Sequence, residues 1–347
     1  MYIKKILWAI AIIGLVAVAI FAYYVYGAML APNTSFNNKE AYIYIKTTDG
    51  YNDVRAQLKP LLKSIDKFDV LAKQKKYTSN IKPGKYVIKK DMNNNDIINS
   101  IRSNNIPVKV SFNNQNSLEK LAGRVANQFE VDSVSLYKVM TDTAFLKEHK
   151  FNTETALGMY LPNSYEIYWN TTAEDFRNRM LKEYKRFWND KRVAKANKIG
   201  LSQNQVIALA SIVYEESKEH TEQPRIAGVY MNRLRIGMPL QADPTLKFAA
   251  YKLPKYKNTV IKRVLNIHKE IVSPYNTYKN RGLPPGLIAM PDISAIDAVL
   301  NYETHNYLYF AADAKRNGFH KFAKTLAQHN VNARAYQRHL SLQGITK

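Results

Sequence analysis

Cysteine is absent from this chain of 347 residues. Its absence excludes disulfide frameworks, thiolate nucleophiles and thiolate-bound metals. The 7 histidines are scattered and show no H-x-x-x-H pairing, so the sequence predicts no metal site and no cofactor. Any chemistry must therefore come from oxygen acids and bases.

Acidic residues are few. There are 28 of them against 51 lysines and arginines, which gives a net charge of +23. A charge of this size attracts nucleic acid, anionic lipid headgroups and acidic cell-wall polymers. The basic residues are spread along the chain, without an arginine-rich arm, zinc-finger spacing or an aromatic RNA-binding signature. The pattern therefore disfavours nucleic acid as a partner.

Charge is missing altogether from Ile6–Gly27, and none appears before Lys39. The apolar run is long enough to cross a hydrocarbon core, which needs roughly 20 residues. We therefore expect this run to form a transmembrane helix, after a cytoplasmic segment at 1–5 and before a linker at 28–40. A cleaved signal peptide is the alternative, although its apolar stretch is typically only about 7–15 residues.

Basic residues flank the apolar run at its N-terminal end, at Lys4 and Lys5. Because such flanks stay in the cytoplasm, the sequence predicts a single-pass protein of the plasma (inner) membrane with a cytoplasmic N-terminus. Everything after about residue 30 would then be periplasmic or otherwise extracytoplasmic. That location excludes chromosomal DNA and nucleotide cofactors, and it leaves the cell wall as a candidate partner.

The exported part is predicted to fold as two α+β units, because the length of the chain exceeds the roughly 100–150 residues typical of one domain. Residues 41–105 form the smaller unit. Alternating residues predict a strand at Ala41–Thr47, helical spacing covers Val54–Ile65, and a second strand is expected at Lys85–Ile88.

Residues 106–347 are predicted to form the larger mixed α+β domain. Helical and alternating patterns continue along it, and we find no internal repeat. The elements that these patterns predict here are a strand at Val108–Phe112 and helices at Ser117–Phe129, Val134–Phe145 and Ala173–Trp188, while a helix capped from within Asn93–Asn95 belongs to the smaller unit.

A capping box of the form S-x-x-Q begins at Ser202 and predicts a helix from Gln203 to about Glu219. At 100° per residue the helix has one apolar stripe, and Glu216 lies along the edge of that stripe while Glu215 points nearly opposite. The stripe consists of Val206, Leu209, Ala210 and Val213.

A carboxyl group held against apolar surface is costly to ionise, so its pKa rises and it can stay protonated near neutral pH. Glu216 is therefore the candidate general acid. The alternative is a structural role, in which Glu216 forms an ion pair with a lysine or caps a neighbouring element.

Two proline-containing loops follow a second helix that begins at Pro224 and ends before Gly237. The loops cover Met238–Thr245 and Ser273–Gly286. Such loops hold tyrosine hydroxyls and asparagine amides in fixed positions, which suits the binding of a sugar. Each loop taken alone is also compatible with an ordinary turn.

These segments together resemble the YceG-like (MltG) family of endolytic murein transglycosylases. The resemblance rests on several motifs in a fixed order. They are A-S-I-V-x-x-E-S at Ala210–Ser217, N-R-L at Asn232–Leu234, L-Q-A-D-P-T at Leu240–Thr245, S-P-Y-N-T-Y at Ser273–Tyr278, G-L-P-P-G at Gly282–Gly286, Y-L-Y-F at Tyr307–Phe310 and His329-Asn330.

The resemblance implies that Glu216 is the catalytic residue. Tyr275 and Asn276 are then candidates for orienting the sugar and stabilising developing charge, and Gln241 and Asp243 for holding the loop or the substrate. Further candidate substrate-binding residues are Ser217, Asn232, Arg233, Thr245 and Tyr278. Residues 41–105 would be the family's LysM-like module, with Lys82–Ser103 as the similar part.

Two positions depart from the family's pattern. Tyr214 stands where an acidic residue is common, and Pro162-Asn163-Ser164-Tyr165 stands where Pro-Asp-Thr-Tyr is common. These departures affect the surroundings of the site and leave the candidate acid in place.

The expected reaction is cleavage of the MurNAc-GlcNAc bond of peptidoglycan glycan strands, with 1,6-anhydro-MurNAc ends and a role in terminating strand elongation. Peptidoglycan synthases are further candidate partners. Two alternatives remain: a hydrolytic muramidase with Asp243 as its second carboxylate, and a non-catalytic peptidoglycan-binding scaffold.

Overall fold

The computed structural model describes residues 2–256, 259–261 and 263–342. These residues divide into two compact units. The first takes in the residues up to Val110 together with Ala126–Val131 and Tyr165–Thr172. The second takes in Ser111–Val125, Asp132–Ser164 and the residues from Ala173 onward. The predicted module boundaries stay predictions, and their outer ends at residues 1 and 343–347 lie outside the described residues.

The first element is an apolar helix, α1 (Tyr2–Met29), with a mean hydropathy of 2.7 in its most apolar window and no burial of that window. At 1.5 Å per residue, its 28 residues extend over about 42 Å, which exceeds a hydrocarbon core of about 30 Å. By length and composition the helix can cross a membrane, and a signal sequence passes the same test. An apolar N-terminal helix is thus confirmed.

The first unit continues with a two-stranded antiparallel sheet and three helices. Strand alternation places Ile43 and Ile45 of one strand on the same buried side as Tyr86 and Ile88 of the other. The elements are β1 (Glu40–Ile45), α2 (Tyr51–Leu58), α3 (Ile65–Gln74), β2 (Gly84–Lys89) and α4 (Asn94–Ser103). The mixed α+β character predicted from the sequence is confirmed.

The helix predicted over Val54–Ile65 is wrong in its extent. Helix α2 ends at Leu58 and passes into a short 3-10 turn at Lys59–Leu61. The cause is Pro60, which has no N–H to donate and so cannot continue the main-chain hydrogen bonding of α2. Helix α3 then starts afresh after Ser64, whose hydroxyl accepts a hydrogen bond from the third residue of the helix.

The second unit is mainly helical. Within the described residues, the strands pair as β1 with β2, β3 with β4, and β5 with β6. The remaining elements of the chain are β3 (Pro107–Phe112), α5 (Leu118–Ala126), α6 (Ser133–Met140), α7 (Thr143–Glu148), β4 (Asn163–Tyr168), α8 (Ala173–Phe187), α9 (Asp190–Lys198), α10 (Gln203–Glu216), α11 (Gln223–Arg235), α12 (Asp243–Tyr251), α13 (Asn266–Lys269), α14 (Ile293–Leu300), β5 (Tyr309–Ala312), β6 (His320–Ala323) and α15 (Leu326–Leu342).

The single helix predicted at Val134–Phe145 is wrong, because two helices occupy this stretch. Helix α6 ends at Met140, and the carboxylate of Asp142 accepts from two main-chain amides at the start of α7. An aspartate in this position satisfies amides that a continuous helix would bond internally, so it favours a new N-terminus.

Helix α10 is the centre of the second unit and packs against α9, α11, α12 and α14. Its capping box at Ser202 is confirmed. Every residue from Val206 to Val213 is buried, so the helix has a buried circumference rather than the single predicted apolar stripe. The helix also ends at Glu216 and not at Glu219, because Ser217 adopts an extended conformation.

Two helical glycines give a matched test of how closely α11 packs against the main chain at Glu303. A Cβ atom on Gly228 of α11 would lie 2.3 Å from the carbonyl oxygen of Glu303, whereas a Cβ on Gly123 of α5 would meet nothing within 4 Å. We expect Gly228→Ala to destabilise the protein by about 1–3 kcal/mol or more. Gly123→Ala should stabilise it by roughly 0.5–1 kcal/mol. Thermal or urea unfolding measures both changes, and equal effects would contradict the packing described here.

Candidate active site

Glu216 is the last residue of α10, at the point where the buried helix reaches the surface of the second unit. Its side chain is partly exposed, and its Oε1 accepts a 2.7 Å hydrogen bond from the hydroxyl of Tyr230. Tyr230 lies on the neighbouring helix α11 and is itself 1% exposed. The carboxyl is therefore held on one side by a buried donor and is open on another.

Burial raises the pKa of the Glu216 carboxyl from 4.5 to about 7. The hydrogen bond from Tyr230 opposes this rise, the negative charge of Asp243 adds to it, and the positive charges of His320 and Arg233 oppose it. The carboxyl is consequently near its midpoint of protonation at neutral pH. A group in this state can both donate and accept a proton.

The neighbouring glutamates differ from Glu216. Glu215 is exposed and forms a 3.0 Å ion pair with Lys218, whose ammonium lies over the ring of Tyr214. Glu219 is exposed in the loop after the helix. Glu216 differs from both because it is only partly exposed and is bonded to the buried hydroxyl of Tyr230.

Asp243 and Tyr278 form a second polar pair beside Glu216. The hydroxyl of Tyr278 donates a 2.6 Å hydrogen bond to Oδ1 of Asp243. Burial, and then the charge of Asp243, raise the pKa of Tyr278, so its hydroxyl remains a donor. Asp243 is exposed in the first turn of α12, and its charge acts on Glu216. The pair therefore supplies a carboxylate and a phenol within reach of the same solvent-accessible region.

Arg233 is buried and supplies a fixed positive charge. Its Nε donates to the carbonyl of Leu308 at 2.7 Å, and its Nη1 donates to the carbonyl of Leu240 at 2.5 Å. Burial lowers the pKa of Arg233, although a guanidinium remains charged near neutral pH. Arg233 thus ties α11 to two loop segments while its charge acts on Glu216.

Two predicted binding amides bond to the main chain of the protein. Asn232 donates through Nδ2 to the carbonyls of His305 and Tyr307, at 2.8 and 2.9 Å. Asn276 donates to two carbonyls at the end of α13 and just beyond it, at 2.9 and 2.7 Å. Both side chains are buried, so they position irregular segments. A contact with substrate stays a prediction for both residues.

Ser217 and Thr245 have local bonds as well. The hydroxyl of Ser217 accepts from the amide of Glu219 at 3.1 Å, and that of Thr245 donates to the carbonyl of Ala242 at 2.7 Å. Both residues are buried. Their bonds shape the turn after α10 and the start of α12, and their predicted role in substrate binding is untested.

Gln241 precedes α12 in a left-handed conformation, with φ 48°, and its side chain is exposed. Its main-chain amide donates to the carbonyl of Thr277 at 3.0 Å. The adjacent amide of Ala242 donates to the hydroxyl of Thr277, also at 3.0 Å. The two predicted loops are therefore joined directly beside the Asp243–Tyr278 pair.

Tyr275 has a different neighbourhood from Tyr278. Its hydroxyl donates to Glu154, which also pairs with Lys252 at 3.4 Å. Burial, and then the bond to Glu154, raise the pKa of Tyr275. The structure thus brings Tyr278, rather than Tyr275, into electrostatic contact with Glu216. The predicted role of Tyr275 in orienting a sugar is untested.

Three residues of this cluster were not identified from the sequence: Tyr230, Glu222 and His320. The tyrosine lies between the predicted motifs on α11, where the apolar pattern made it resemble a core residue. The glutamate and the histidine meet only through the fold, at 2.8 Å between Glu222 Oε2 and His320 Nδ1. Within the described part of the chain, no group of three or more His, Asp or Glu side chains is arranged to hold a metal ion.

A partly exposed acid at the end of a buried helix, in a mixed α+β unit, defines the structural class, and comparison with known proteins identifies the family. The family model described as "YceG-like family" matches residues 43–335. The chain belongs to the YceG-like family.

Two curated relatives are named endolytic murein transglycosylase. One, from Bacillus subtilis strain 168, is 40% identical over 168 residues, which cover 48% of this chain and 44% of the relative. Another, from Streptococcus pneumoniae strain D39, is 26% identical over 295 residues, covering 76% and 52%. The chain spans about half the length of the curated relatives it matches.

A solved structure supports the fold. The 2.6 Å crystal structure of a YceG-like protein from Listeria monocytogenes matches with a TM-score of 0.56 and 26% identity. The match covers 85% of this chain and 99% of the other. The fold of this chain is therefore similar to one seen by crystallography.

The raised pKa of Glu216 predicts a pH-dependent gain in stability for Glu216→Gln. The native state holds a proton that the unfolded chain releases above its ordinary pKa of 4.5, so the wild type loses stability as pH rises from 4.5 through about 7. Glutamine keeps an acceptor for Tyr230 and carries no charge. We expect a higher melting temperature than wild type at pH 8, with a ceiling of about 3 kcal/mol, and little difference at pH 4.

Glu215→Gln is the matched control for this measurement, because Glu215 is an exposed carboxyl of the same helix end. It should give no gain at pH 8. A gain for Glu216→Gln that is equal at both pH values would contradict the pKa assignment.

Proposed function

We propose that this chain is a membrane-anchored endolytic lytic transglycosylase. It cleaves the β-1,4 bond between MurNAc and GlcNAc in peptidoglycan glycan strands and leaves 1,6-anhydro-MurNAc ends. The observation that carries the proposal is the Glu216 carboxyl, with a pKa of about 7, in a YceG-like chain. The names of the curated relatives support the same reaction class.

The first step is protonation of the leaving oxygen. Tyr230 donates to Oε1 of Glu216, so Oε1 is the acceptor oxygen and Oε2 carries the acidic proton. Glu216 transfers this proton to the bridging oxygen as the bond to C1 of MurNAc breaks. The GlcNAc end leaves as an alcohol, and Glu216 becomes a carboxylate.

The second step uses the same residue in the opposite direction. The Glu216 carboxylate removes the proton from the 6-hydroxyl of MurNAc, and O6 bonds to C1 to close the 1,6-anhydro ring. Glu216 is protonated again, and water is not consumed. An internal hydroxyl close to C1 replaces a second activated nucleophile, so one carboxyl is sufficient.

The Asp243–Tyr278 pair is the proposed sugar-orienting and charge-stabilising part of the site. C1 becomes electron-poor as its bond breaks, and the exposed carboxylate of Asp243 can stabilise that positive charge. Gln241 and Tyr278 are the proposed hydrogen-bonding side chains beside it. Arg233 acts by its charge on Glu216. Residues proposed to shape the binding loops around them are Ser217, Asn232, Thr245, Tyr275 and Asn276.

A hydrolytic muramidase is the second candidate, because Asp243 is a carboxylate in electrostatic contact with Glu216. In that mechanism Asp243 would act as nucleophile or as base for water. The masses of the released sugars distinguish the two reactions, since an anhydro product is one water lighter than a hydrolysis product.

The remaining parts of the proposal concern location. We propose that α1 anchors the chain in the plasma membrane with its N-terminus in the cytoplasm, and that the rest is extracytoplasmic. The 41–105 segment is the proposed LysM-like module. Peptidoglycan synthases are proposed partners, because termination of strand elongation requires access to growing strands.

Replacement of the proposed acid tests the reaction. Glu216→Gln preserves the shape of the side chain and removes its proton, so strand cleavage should fall by roughly 10²–10⁴-fold with folding intact. Release of anhydro-muropeptides from purified glycan strands measures the change. Glu215→Gln and Glu219→Gln are matched controls and should change the rate far less. Normal release by a folded Glu216→Gln protein would mean that another residue is the acid, whereas no release by the wild type itself would support the scaffold alternative.

The membrane proposal has its own test. The full chain should sediment with membranes and keep an intact N-terminus, because α1 lacks charge from Ile6 to Gly27. A topology reporter fused after Lys347 should be active only outside the cytoplasm. A soluble mature protein that begins near residue 30 would instead identify α1 as a cleaved signal sequence.

A further inference from the structure

A buried carboxylate and a histidine form a closely bonded pair near the candidate acid. Glu222 is 5% exposed at the start of α11, and its Oε1 accepts a 2.8 Å hydrogen bond from the main-chain amide of His320. Its Oε2 lies 2.8 Å from Nδ1 of the same histidine. Because a carboxylate only accepts, Nδ1 is the donor. The side chain of Glu222 therefore fixes both the ring and the main chain of His320.

The surrounding aromatic residues connect this pair to Glu216. The ring of Phe310 on β5 packs edge-on against His320, with centroids 5.1 Å apart. It packs edge-on against Tyr230 as well, at 5.9 Å. Tyr230 in turn donates to Glu216. One phenyl ring thus separates the imidazole from the tyrosine that holds the acid.

The tight turn of the hairpin lies close to the loop that follows α10. An added Cβ on Gly318 would be 3.5 Å from the carboxylate of Glu219. Hairpin β5–β6 therefore contacts α11 through Phe310 and lies beside the loop after α10 through Gly318. His320 is the first residue of β6, directly after this turn.

The charged and titratable groups that act on Glu216 come from several elements. Arg233 is already bonded to two carbonyls, and Asp243 is bonded to Tyr278. The full set is Tyr230 and Arg233 from α11, Asp243 from α12, Tyr278 from the loop before Gly282 and His320 from β6. In this set, His320 is the residue whose side chain is bonded to a buried carboxylate, that of Glu222.

We propose that His320, bonded to the buried carboxylate of Glu222, is a positioning residue that stabilises the carboxylate form of Glu216 during the reaction. The inference rests on the proposed function, because it assigns His320 to the interval between proton donation and proton recovery. In that interval Glu216 is negative in a site where burial disfavours charge. A fixed cation on an adjacent hairpin offsets this penalty without touching the sugar.

Replacement of the histidine by glutamine separates this role from simple support of the hairpin. His320→Gln removes the charge but keeps the main-chain amide that bonds to Glu222. The positive charge of His320 lowers the pKa of Glu216, so its removal should let that pKa rise. We expect the alkaline limb of kcat/KM for strand cleavage to move to higher pH, because Glu216 then stays protonated further into the alkaline range. The plateau rate should fall as well, because the carboxylate formed is less stable.

Glu222→Gln provides the second variant. The glutamine oxygen still accepts from the amide of His320, while the negative charge beside the imidazole is lost. The alkaline limb should move in the same direction as in His320→Gln. The double variant should move the limb no further than His320→Gln alone, because the imidazole through which Glu222 acts is already absent.

His149→Gln is the matched control. His149 also lies beside a glutamate, Glu148, at 3.8 Å, on α7 and its C-terminal cap. It is absent from the groups that shift the pKa of Glu216. Its replacement should leave the pH profile of the detergent-solubilised full chain unchanged.

The outcomes separate three possibilities. An unchanged alkaline limb in folded His320→Gln, with or without a uniform loss of rate, would overturn the proposal and leave the histidine as a hairpin support. Melting temperatures measured across pH give a readout without substrate. The stability gained by Glu216→Gln over its parent rises with pH, and the midpoint of that rise should lie at higher pH when both proteins also carry His320→Gln. If Glu216→Gln cleaves normally while this midpoint still moves, the proposed function fails but the charge coupling stands.

Discussion

Desolvation of a single carboxyl group is the constraint on which the rest of the site depends. Helix α10 is buried around its whole circumference from Val206 to Val213, and it ends at Glu216. Glu216 therefore lies at the end of a helix that cannot rotate or shift without disturbing the core. Burial raises its pKa to about 7, and the nearby donors and cations keep the rise from going further. Burial thus disfavours the ionised carboxyl of Glu216, and the hydrogen bond from Tyr230 and the nearby positive charges partly offset that effect.

The irregular segments around Glu216 are held by buried amide, hydroxyl and guanidinium groups. Asn232, Arg233, Thr245 and Asn276 all bond to main-chain carbonyls. A loop carries main-chain groups that helix and sheet would otherwise satisfy, and each needs a partner when it is buried. Polar motif residues can therefore be essential to a sugar-binding site without touching the sugar.

The sequence predicted best what is encoded locally. Caps at Asn93 and Ser202 fixed two helix starts, and the apolar run predicted α1. Helix ends were less predictable: Pro60 stops α2 early, and Ser217 ends α10 at the acid. Periodicity could select Glu216 because the position follows an apolar helix face. It gave no sign of Tyr230 or of the Glu222–His320 pair, because these contacts join residues from different elements and exist only after packing.

The backbone of Gln241 is constrained by the fold, whereas its side chain is exposed. A left-handed conformation costs a non-glycine residue roughly 1–2 kcal/mol, and here it persists because Thr277 bonds to two successive amides at the turn. The fold therefore constrains the backbone of position 241 while leaving its exposed side chain unconstrained by packing. Such a position can change its side chain over evolution at little structural expense, so the surface beside Asp243 can vary at this point while the scaffold stays the same.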